Sequence, residues 1–332
     1  MKTKILVTGG VGFIGAHLTD LLIKKKYQVM VVDNLSTIGG IKYVHPKCNF
    51  IKGDITSKRT LNSIKRWQPK IIFHLAAQSA GESAYDNPKN DFISNGYGTF
   101  ELVKLAKELN VKKFIYTSSV AVYGSNPKKI ITEDSKINPD SIYGISKYVG
   151  EMFIKQILYK SNVNTLILRL FNTYGPGEDL NYEKKGQIKI YSSYVWKRKP
   201  IIVKGSKNRF RNFNYIEDVI KILFLSINNK KLDKNETINL TNGKKVFVRD
   251  ALKKILKVNK LKKYKIIQQG NTKGDSFGYH ASNKRLKKKF DKLKFTTLDQ
   301  GLSKFFTWIK DVPVKKDIKN YHPLKMSKKY GK

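Results

Sequence analysis

The sequence predicts an α/β fold: a doubly wound parallel sheet with a smaller C-terminal α/β substrate-binding domain. Three observations indicate it. Short apolar runs alternate with amphipathic helical stretches, a glycine-rich loop joins the first run to the first helix, and the alternation loosens after Arg169. Strands joined through helices by short links form parallel sheets covered on both faces. Ligands of such sheets bind at the carboxyl ends of the strands, so candidate site residues are expected there.

Six strands and four long helices are predicted before residue 172. The strand patterns are short and rich in Val, Ile and Phe, whereas the helical patterns place apolar residues three or four apart. The predicted strands are Lys4–Thr8, Gln28–Val32, Asn49–Ile51, Ile71–Leu75, Lys113–Thr117 and Thr165–Arg169. The predicted helices are Phe13–Lys25, Ser57–Trp67, Asn90–Glu108 and Tyr143–Tyr159.

A glycine-rich loop follows the first strand, in the run Thr8-Gly9-Gly10-Val11-Gly12-Phe13-Ile14-Gly15. The run contains G-x-G-x-x-G and leads directly into a helical pattern. Such glycines permit a tight turn and let the backbone approach a pyrophosphate, which the free N–H groups of the helix N-terminus bind. We therefore expect a Rossmann-type dinucleotide site whose first residues are Gly9, Gly12, Phe13, Ile14 and Gly15.

Acidic residues after the next two strands extend this cofactor site. The second strand ends at Asp33, 18 residues after Gly15. A carboxylate there accepts hydrogen bonds from the adenosine ribose hydroxyls and repels a 2′-phosphate, so the cofactor is predicted to be NAD and not NADP. The adenine edge is expected near Asp54, although an aspartate there also fits an ordinary turn. The predicted set includes the neighbours of these acids, Asn34 and Ile55.

The domain division follows the change of pattern. Residues 1–171 are predicted to form the NAD-binding Rossmann domain, to which residues 213–240 return with an apolar helix and a strand. Residues 172–212 and 241–310 form the predicted substrate-binding domain. Its last helix, Leu298–Ile309, begins with a capping box in which Thr297 pairs with Gln300. Residues 311–332 form a Lys-rich tail.

Tyr143 and Lys147 are four residues apart in a helical pattern, so their side chains face the same way. A nearby ammonium group favours the phenolate, and we expect it to lower the pKa of Tyr143 from about 10 toward neutrality. Tyr143 then serves as a general base, and as an acid in the reverse direction. Ser119 lies at the end of the preceding strand, where its hydroxyl can hydrogen-bond the reacting oxygen. The predicted catalytic residues are Ser119, Tyr143 and Lys147.

The composition is strongly basic. The 332 residues include 66 Lys and Arg against 25 Asp and Glu, for a formal net charge of +41 at pH 7. Only 8 of the basic residues are Arg, the side chain that dominates base and phosphate recognition, and the lysines are spread along the whole chain. We therefore expect no specific nucleic-acid partner. The charge favours non-specific binding of polyanions and can steer an anionic substrate.

The sequence contains no recognisable targeting, membrane or metal-binding pattern. No apolar run approaches the ~20 residues of a membrane span. The chain starts at once with a strand pattern and lacks the regions of a signal peptide, so a cytoplasmic location is expected. Cys48 is the single cysteine and the five histidines are scattered. We therefore expect no disulfide, no metal, and histidines that are structural or solvated.

Together these motifs make the sequence similar to the extended short-chain dehydrogenase/reductase family, in its nucleotide-sugar epimerase/dehydratase branch. The resemblance covers nearly the whole chain. His74-Leu75-Ala76-Ala77 resembles the family's motif beside the cofactor ribose, and Asn95 opens an N-x-x-G-T stretch that the family places near the nicotinamide. Arg169–Gly177 resembles the segment that leads into the substrate domain. The resemblance implies that the NAD site also includes Leu75, Ala76, Ala77 and Asn95.

The resemblance implies a nucleotide-sugar substrate. Asn172 and Arg211 are expected to contact its diphosphate, and Ser83 lies in a stretch similar to that of UDP-galactose 4-epimerases. Tyr279 falls where a bulky side chain excludes N-acetylated sugars. A surface or interface salt bridge is the alternative role for Arg211.

Further expectations come from the same resemblance. Asp275 matches the family's R-x-G-D stretch, but the run Thr272-Lys273-Gly274-Asp275 lacks the Arg, so the nucleotide is left open. Lys273 is a partial substitute for that Arg. A homodimer through the helices that start near Asn90 and Tyr143 is implied, as is a part in polysaccharide or glycan precursor synthesis.

One comparison narrows the reaction. Dehydratases and UDP-glucuronate decarboxylases of the family carry an acidic residue between the catalytic Ser or Thr and V-Y-G, where this chain has Val120 and Ala121. The sequence therefore favours a 4-epimerase of the UDP-glucose/UDP-galactose type, which transiently oxidises sugar C4. A nucleotide-sugar 4-dehydrogenase or 4-keto reductase would use the same residues. A non-catalytic NAD-binding sensor and a polyanion-binding protein are the alternatives outside this class.

Overall fold

A seven-stranded parallel sheet forms the centre of the computed structural model, which describes residues 2–36, 44–79, 81–125, 130–271 and 276–312. The strands are β1 (Lys4–Thr8), β2 (Gln28–Asp33), β3 (Asn49–Lys52), β4 (Ile71–His74), β5 (Lys113–Ser119), β6 (Asn164–Leu170), β7 (Asn172–Tyr174), β8 (Ile201–Lys204), β9 (Phe210–Arg211), β10 (Phe213–Tyr215), β11 (Asn235–Leu240), β12 (Val246–Phe247) and β13 (Ile266–Gln269). The sheet has the order β11-β6-β5-β4-β1-β2-β3. The order reverses between β1 and β4, where such sheets bind ligands at the carboxyl ends of the strands.

Helices connect these strands and cover the sheet. They are α1 (Phe13–Lys24), α2 (Lys58–Trp67), α3 (Gly81–Asp86), α4 (Pro88–Asp91), α5 (Gly98–Glu108), α6 (Ile142–Ile157), α7 (Gln187–Trp196), α8 (Ile216–Leu225), α9 (Val248–Val258), α10 (Lys284–Lys289) and α11 (Leu298–Lys310). A π-helical turn (Phe92–Tyr97) separates α4 from α5, and a 3₁₀ turn (Val120–Tyr123) follows β5. None of the helices in the described ranges has the length and apolar character needed to cross a membrane.

The sheet separates two apolar cores, as the side chains of β1 show. Ile5 and Val7 belong to the core shared with α1, α8 and α11, whereas Leu6 belongs to the core shared with α2, α5 and α6. Successive residues of a strand point to opposite faces, so a strand covered on both sides is apolar throughout. This explains why the predicted strands are continuous apolar runs, and it confirms the predicted fold class.

Three two-stranded sheets lie beyond β6. β7 pairs with β10 and β8 with β13 in parallel, and β9 pairs with β12 in antiparallel orientation. Between them in the sequence, β11 returns to the edge of the central sheet beside β6. The last helix, α11, begins with the predicted capping box, in which the Thr297 hydroxyl accepts from the backbone N–H of Gln300.

The helix predicted over Asn90–Glu108 is not continuous. The π-helical turn interrupts it, so α4 ends at Asp91 and α5 begins at Gly98. A π turn closes i→i+5 hydrogen bonds and holds one more residue than an α-helical turn. Apolar periodicity over six residues does not distinguish the two, which is why the prediction was wrong here.

Candidate functional site

The glycine loop between β1 and α1 packs tightly against the segment after β4. Gly9 has φ of +68°, and a Cβ there would lie 2.6 Å from the backbone N of Ala76. A Cβ at Gly15 would collide with the carbonyl oxygen of Gly9. Both positions therefore require glycine. Gly12 is the N-cap of α1 and has no side chain to satisfy the first-turn N–H groups, which leaves them for an anion.

Asp33 is placed at the carboxyl end of β2, beside this loop. Its carboxylate accepts hydrogen bonds from Val11 N at 3.0 Å and Leu35 N at 2.9 Å. One of these donors belongs to the glycine loop, so the same carboxylate that is predicted to bind the ribose also fixes the loop. Phe13 and Ile14 form the first turn of α1 and are half-buried against the core.

The residues predicted to form the adenine edge contact one another or their neighbours. Asn34 Nδ2 donates to Asp54 Oδ2 at 2.7 Å, while Thr56 donates twice to Asp54 Oδ1. Burial raises the pKa of Asp54, but these hydrogen bonds outweigh it and the pKa is lowered overall. Ile55 is buried against Gly98, where a Cβ would lie 2.8 Å from its Cδ1. Asp54 therefore also stabilises its own turn by accepting hydrogen bonds from Thr56, which is the ordinary turn role considered as its alternative.

The segment after β4 is tied to β1. Leu75 N donates to Thr8 O at 3.1 Å and Ala76 N donates to Thr8 Oγ1 at 3.3 Å, which brings Ala76 and Ala77 to the edge of the glycine loop. His74 is fully buried and shares hydrogen bonds with Thr8 Oγ1 (2.8 Å) and Thr99 Oγ1 (2.9 Å). Burial and the charge of Lys147 lower the pKa of His74 to about 3, so this histidine is a neutral structural bridge.

Tyr143 and Ser119 are brought together by the N-terminus of α6 and the end of β5. Ser141 caps α6 by accepting from Gly144 N at 3.1 Å, which fixes the first turn that carries Tyr143. The side chain of Ser119 hydrogen-bonds Tyr143 and also accepts from Ala121 N at 3.2 Å. A serine hydroxyl and a phenol therefore lie beside each other at the carboxyl end of the sheet, and their catalytic roles stay predictions.

The direction of the predicted pKa shift of Tyr143 is wrong for this structure. Burial raises the pKa of Tyr143 to about 12, although the hydrogen bond from Ser119 lowers it and the charge of Asp91 raises it further. The free energy lost when the phenolate is removed from water exceeds the stabilisation that its neighbours provide. A lone phenol in this site therefore keeps its proton at neutral pH, and a bound positive charge is needed to reverse the shift.

Lys147 lies one turn further along α6 and is almost completely buried. Its Nζ stands 4.4 Å from the centroid of the Tyr116 ring, a cation–π contact with β5. Burial lowers the pKa of Lys147 to about 7, while the charges of Asp91 and Glu151 raise it. The charge state of this lysine at neutral pH is thus set by the carboxylates near it.

Asn95 joins the π-helical turn to α6. Its Nδ2 donates to Gln78 O and to Ser146 Oγ, each at 3.0 Å, and the Ser146 hydroxyl donates to Tyr143 O at 3.0 Å. Asn95 is therefore connected through Ser146 to the backbone of Tyr143, and its place near the nicotinamide stays a prediction. π-helical turns are often found at functional sites.

The residues predicted to bind substrate lie on the C-terminal side of the sheet. Ser83 is on α3, where its hydroxyl is 2.9 Å from that of Tyr182. Asn172 begins β7 in register with Phe213 of β10 and is half-buried. The roles assigned to these side chains remain predictions, and Asp275 lies outside the described residues.

Arg211 is buried in a backbone cage. Its guanidinium donates to the carbonyl oxygens of Phe210 (2.7 Å), Ser276 (2.7 Å) and Phe277 (3.2 Å). The same group lies 5.5 Å from the ring centroid of Tyr279, which is itself buried against the 3₁₀ turn after Ser119. Arg211 thus fixes the segment that carries Tyr279. The 3% exposure of Arg211 rules out a surface salt bridge, whereas the interface salt bridge of the same alternative stays a prediction.

Three charged residues near the site were not predicted. Glu151 is fully buried, accepts from Ser118 Oγ at 2.6 Å and is bound by Arg169 through Nε at 2.9 Å and Nη2 at 2.7 Å. The third is Asp91, at the end of α4. A signal existed for Glu151, which continues the spacing of Tyr143 and Lys147 by another four residues on one helix face. No group of metal-ligand side chains occurs within the described ranges.

Comparisons with known proteins agree with this geometry. Residues 5–241 match the family model described as the NAD dependent epimerase/dehydratase family. The protein named "Putative UDP-glucose 4-epimerase" of Methanocaldococcus jannaschii is 36% identical over 74% of this chain and 79% of its own. The dTDP-D-glucose 4,6-dehydratase of Homo sapiens is 30% identical over 77% and 74%. The crystal structure of UDP-glucose 4-epimerase from Thermotoga maritima with UDP-glucose superposes with a TM-score of 0.85 at 28% identity, covering 93% of this chain and 99% of that one.

Proposed function

Since the chain belongs to the NAD-dependent epimerase/dehydratase family, we propose that it is a nucleotide-sugar 4-epimerase of the UDP-glucose/UDP-galactose type. The family makes it an NAD-dependent nucleotide-sugar enzyme, and the proposal adds the reaction and the sugar. The observation that carries the proposal is the contact of Ser119 with Tyr143, one helical turn before the buried Lys147 and next to a turn with no acidic side chain.

The cofactor is NAD. The residues present fit it: Gly9 and Gly15 leave no room for a side chain where the pyrophosphate would approach, and Asp33 offers a carboxylate at the end of β2. When bound, NAD would supply the hydride acceptor, and then the hydride donor, that a reaction at sugar C4 requires. We propose that Lys147 also binds the nicotinamide ribose.

The proton is moved by residues of this chain. In the proposed mechanism Tyr143 takes the proton from the sugar 4-hydroxyl while Ser119 hydrogen-bonds the same oxygen. The pKa of Tyr143, about 12 in this structure, must fall for this to happen at neutral pH. A nearby positive charge stabilises the phenolate and lowers the pKa, which is the part of the charged Lys147 and of the cationic cofactor.

An epimerase also needs the keto sugar to turn in the pocket. We propose that Asn172 and Arg211 hold the diphosphate while the sugar is gripped weakly, so that either face can be presented. The substrate would then lie between the proposed Rossmann domain (1–171 with 213–240) and the proposed substrate domain (172–212 and 241–310). The nucleotide base stays open because Asp275 lies outside the described residues.

The 3₁₀ turn after Ser119 favours epimerisation over elimination. Its residues Val120–Tyr123 are buried and apolar apart from the phenol of Tyr123, which is bound by Arg169. A 4,6-dehydratase needs an additional acid–base group near C5 and C6 of the sugar. A 4-epimerase needs only the pair that exchanges one proton at C4.

A product assay tests this proposal. UDP-, GDP- and dTDP-hexoses, N-acetylhexosamines and uronic acids are offered separately to purified protein, with products identified by NMR and NADH followed by absorbance. A C4 epimer without net NADH is the expected result. A keto product with stoichiometric NADH would establish the dehydrogenase alternative, and a 4-keto-6-deoxy sugar would establish a dehydratase.

We further propose a homodimer through the helices around the site. Large apolar side chains are exposed on the π-helical turn and on α6: Phe92 is 56% exposed, Tyr97 44%, Ile145 50% and Met152 46%. Ile145 and Met152 are seven residues apart and share one face of α6. Clustered exposed apolar residues mark surfaces that bind another protein. The cytoplasmic location and the part in polysaccharide synthesis remain predictions.

A further inference from the structure

Asp91 is a buried carboxylate without a hydrogen-bond donor. It ends α4, has no exposed surface, and neither of its carboxylate oxygens receives a hydrogen bond from the described residues. The Oδ1 atom of Asn95, one turn further on, is also buried without a donor. Burying an unpaired carboxylate is costly, so such a group persists where its charge is used.

The surroundings of Asp91 connect it to the catalytic helix. The side chains of Ser146 and Asn95 face it, and each lowers the pKa that burial has raised. The Ser146 hydroxyl donates to Tyr143 O at 3.0 Å and accepts from Asn95 Nδ2 at 3.0 Å. Both side chains are thereby held beside the carboxylate, where they favour its ionised form. Ser146 directly precedes Lys147, whose charge also acts on Asp91.

Charged and titratable groups face Lys147 from four elements. Glu151 is on the same helix, Tyr116 is on β5, His74 is on β4 and Asp91 comes from α4, with Tyr143 one turn before on α6. His74 is neutral, since its pKa is lowered to about 3. The charge of Glu151 is already matched by Arg169, whose Nη2 lies 2.7 Å from it. Of the two carboxylates, Asp91 is therefore the one whose charge is not matched by Arg169 and can balance the charge of Lys147.

We propose that Asp91 is a positioning residue that acts through Lys147 and Tyr143, its buried negative charge keeping the Lys147 ammonium charged and directed toward the reacting pair. The inference rests on the proposed function, because it assigns a part in the same proton transfer. Burial alone lowers the pKa of Lys147, and the charge of Asp91 is the largest influence that opposes this. The same charge raises the pKa of Tyr143.

The substitution Asp91→Asn tests the inference through the pH profile of kcat/KM. Removing a negative charge lowers the pKa of Lys147 and of Tyr143 alike, so both limbs of the profile should move to lower pH by about one unit. The matched control is Asp218→Asn, the same change at a half-buried carboxylate that Thr296 binds on α8. The control should leave both limbs in place. A profile of Asp91→Asn that is lower at every pH, with limbs unmoved, would overturn the inference.

A second variant covers the case in which Asp91→Asn does not fold. Ser146→Ala removes a group that favours the ionised form of Asp91. Asp91 then stays protonated to higher pH, and both limbs should move in the same direction by a smaller amount. Unmoved limbs in a folded Ser146→Ala protein would count against a charged Asp91.

A measurement without turnover separates this inference from the proposed function. Calorimetry of NAD binding, in buffers that differ in ionisation enthalpy, counts the protons exchanged as the cofactor enters. The pH midpoint of that count should lie about one unit lower in Asp91→Asn than in wild type. A protein inactive on every sugar would refute the proposed function while leaving this test intact, and identical midpoints would refute the part assigned to Asp91.

Discussion

At Tyr143, the environment of the resting site opposes the proposed chemistry. Burial raises the pKa of the phenol to about 12, whereas a general base works best when its pKa is near the working pH. The same burial makes each nearby charge count for more, because there is little water to screen it. In the proposed mechanism, positive charge beside the phenol is therefore needed to lower the pKa of Tyr143.

Tyr143→Phe is expected to lower kcat by about 10²- to 10⁴-fold, because it removes the acid–base group and keeps the ring. NAD binding should change little, since the glycine loop and Asp33 are untouched; fluorescence titration measures it. Tyr27→Phe is the control, because Tyr27 lies at the opposite end of the sheet against Phe224. Turnover like that of wild type in Tyr143→Phe would refute the catalytic assignment.

Asp33→Asn should weaken NAD binding by about tenfold, since hydrogen bonds to a charged acceptor contribute about 1.5–3 kcal/mol and the amide keeps part of them. Discrimination against NADP should fall as well, because the repulsion of a 2′-phosphate is removed. Titration of both cofactors measures the ratio. Asp20→Asn, an exposed change on α1, serves for comparison, and an unchanged NAD/NADP ratio would contradict the assigned role.

Single residues were predictable where the chemistry follows from spacing. The four-residue interval of Tyr143 and Lys147 places them on one helix face, and the structure does so. The direction of the Tyr143 pKa shift was not predictable, because it depends on how completely the fold desolvates the phenol. Asp91 and Glu151 were missed because acidic residues are nearly always exposed, so a sequence offers little reason to bury one.

Helix α6 carries much of the site along one face. Tyr143, Lys147 and Glu151 follow each other at intervals of four residues, and Glu151 ties the helix to β6 through Arg169. Arg169 also donates to Tyr123 in the turn after Ser119 at 2.6 Å. The buried ion pair therefore links β6 to the two segments that hold the proposed catalytic residues, α6 and the end of β5 with its following turn.

Arg169→Ala should lower the free energy of unfolding by about 3–5 kcal/mol, because it leaves the Glu151 charge buried and unpaired. Urea denaturation measures the loss. Lys231→Ala breaks an ion pair with Asp291 that is exposed on both sides and should cost about 1 kcal/mol or less. Equal losses of unfolding free energy in the two variants would contradict a larger contribution from the buried Arg169–Glu151 pair.

At the level of elements, the central sheet was predictable and the connections around the substrate region were not. A strand buried on both faces is an apolar run that stands out in the sequence. β9 and β12, in contrast, have two residues each and exist because partners far along the chain supply their hydrogen bonds. The π-helical turn was missed because its apolar residues also fit an α-helical repeat.

For the whole molecule, the dimer proposal makes a direct prediction. Replacing both Ile145 and Met152 with Glu puts charges on the exposed apolar face of α6 and should convert a dimer into monomers of 38.2 kDa. Light scattering after size exclusion measures the mass. Leu225→Glu, at a similarly exposed position on α8, should leave the mass unchanged. A mass unaffected by the double change would rule out this face.

The π-helical turn between α4 and α5 adds one residue to what would otherwise be a continuous α-helix. An α-helix advances about 100° per residue, so deleting one residue there would rotate everything before the turn by about that angle. Thr99 would still hydrogen-bond His74, whereas Asp91 would be rotated away from α6. The extra residue therefore sets which side chains before the turn face α6. Thr99, after the turn, attaches the helix to the sheet, while Asp91, before the turn, faces α6.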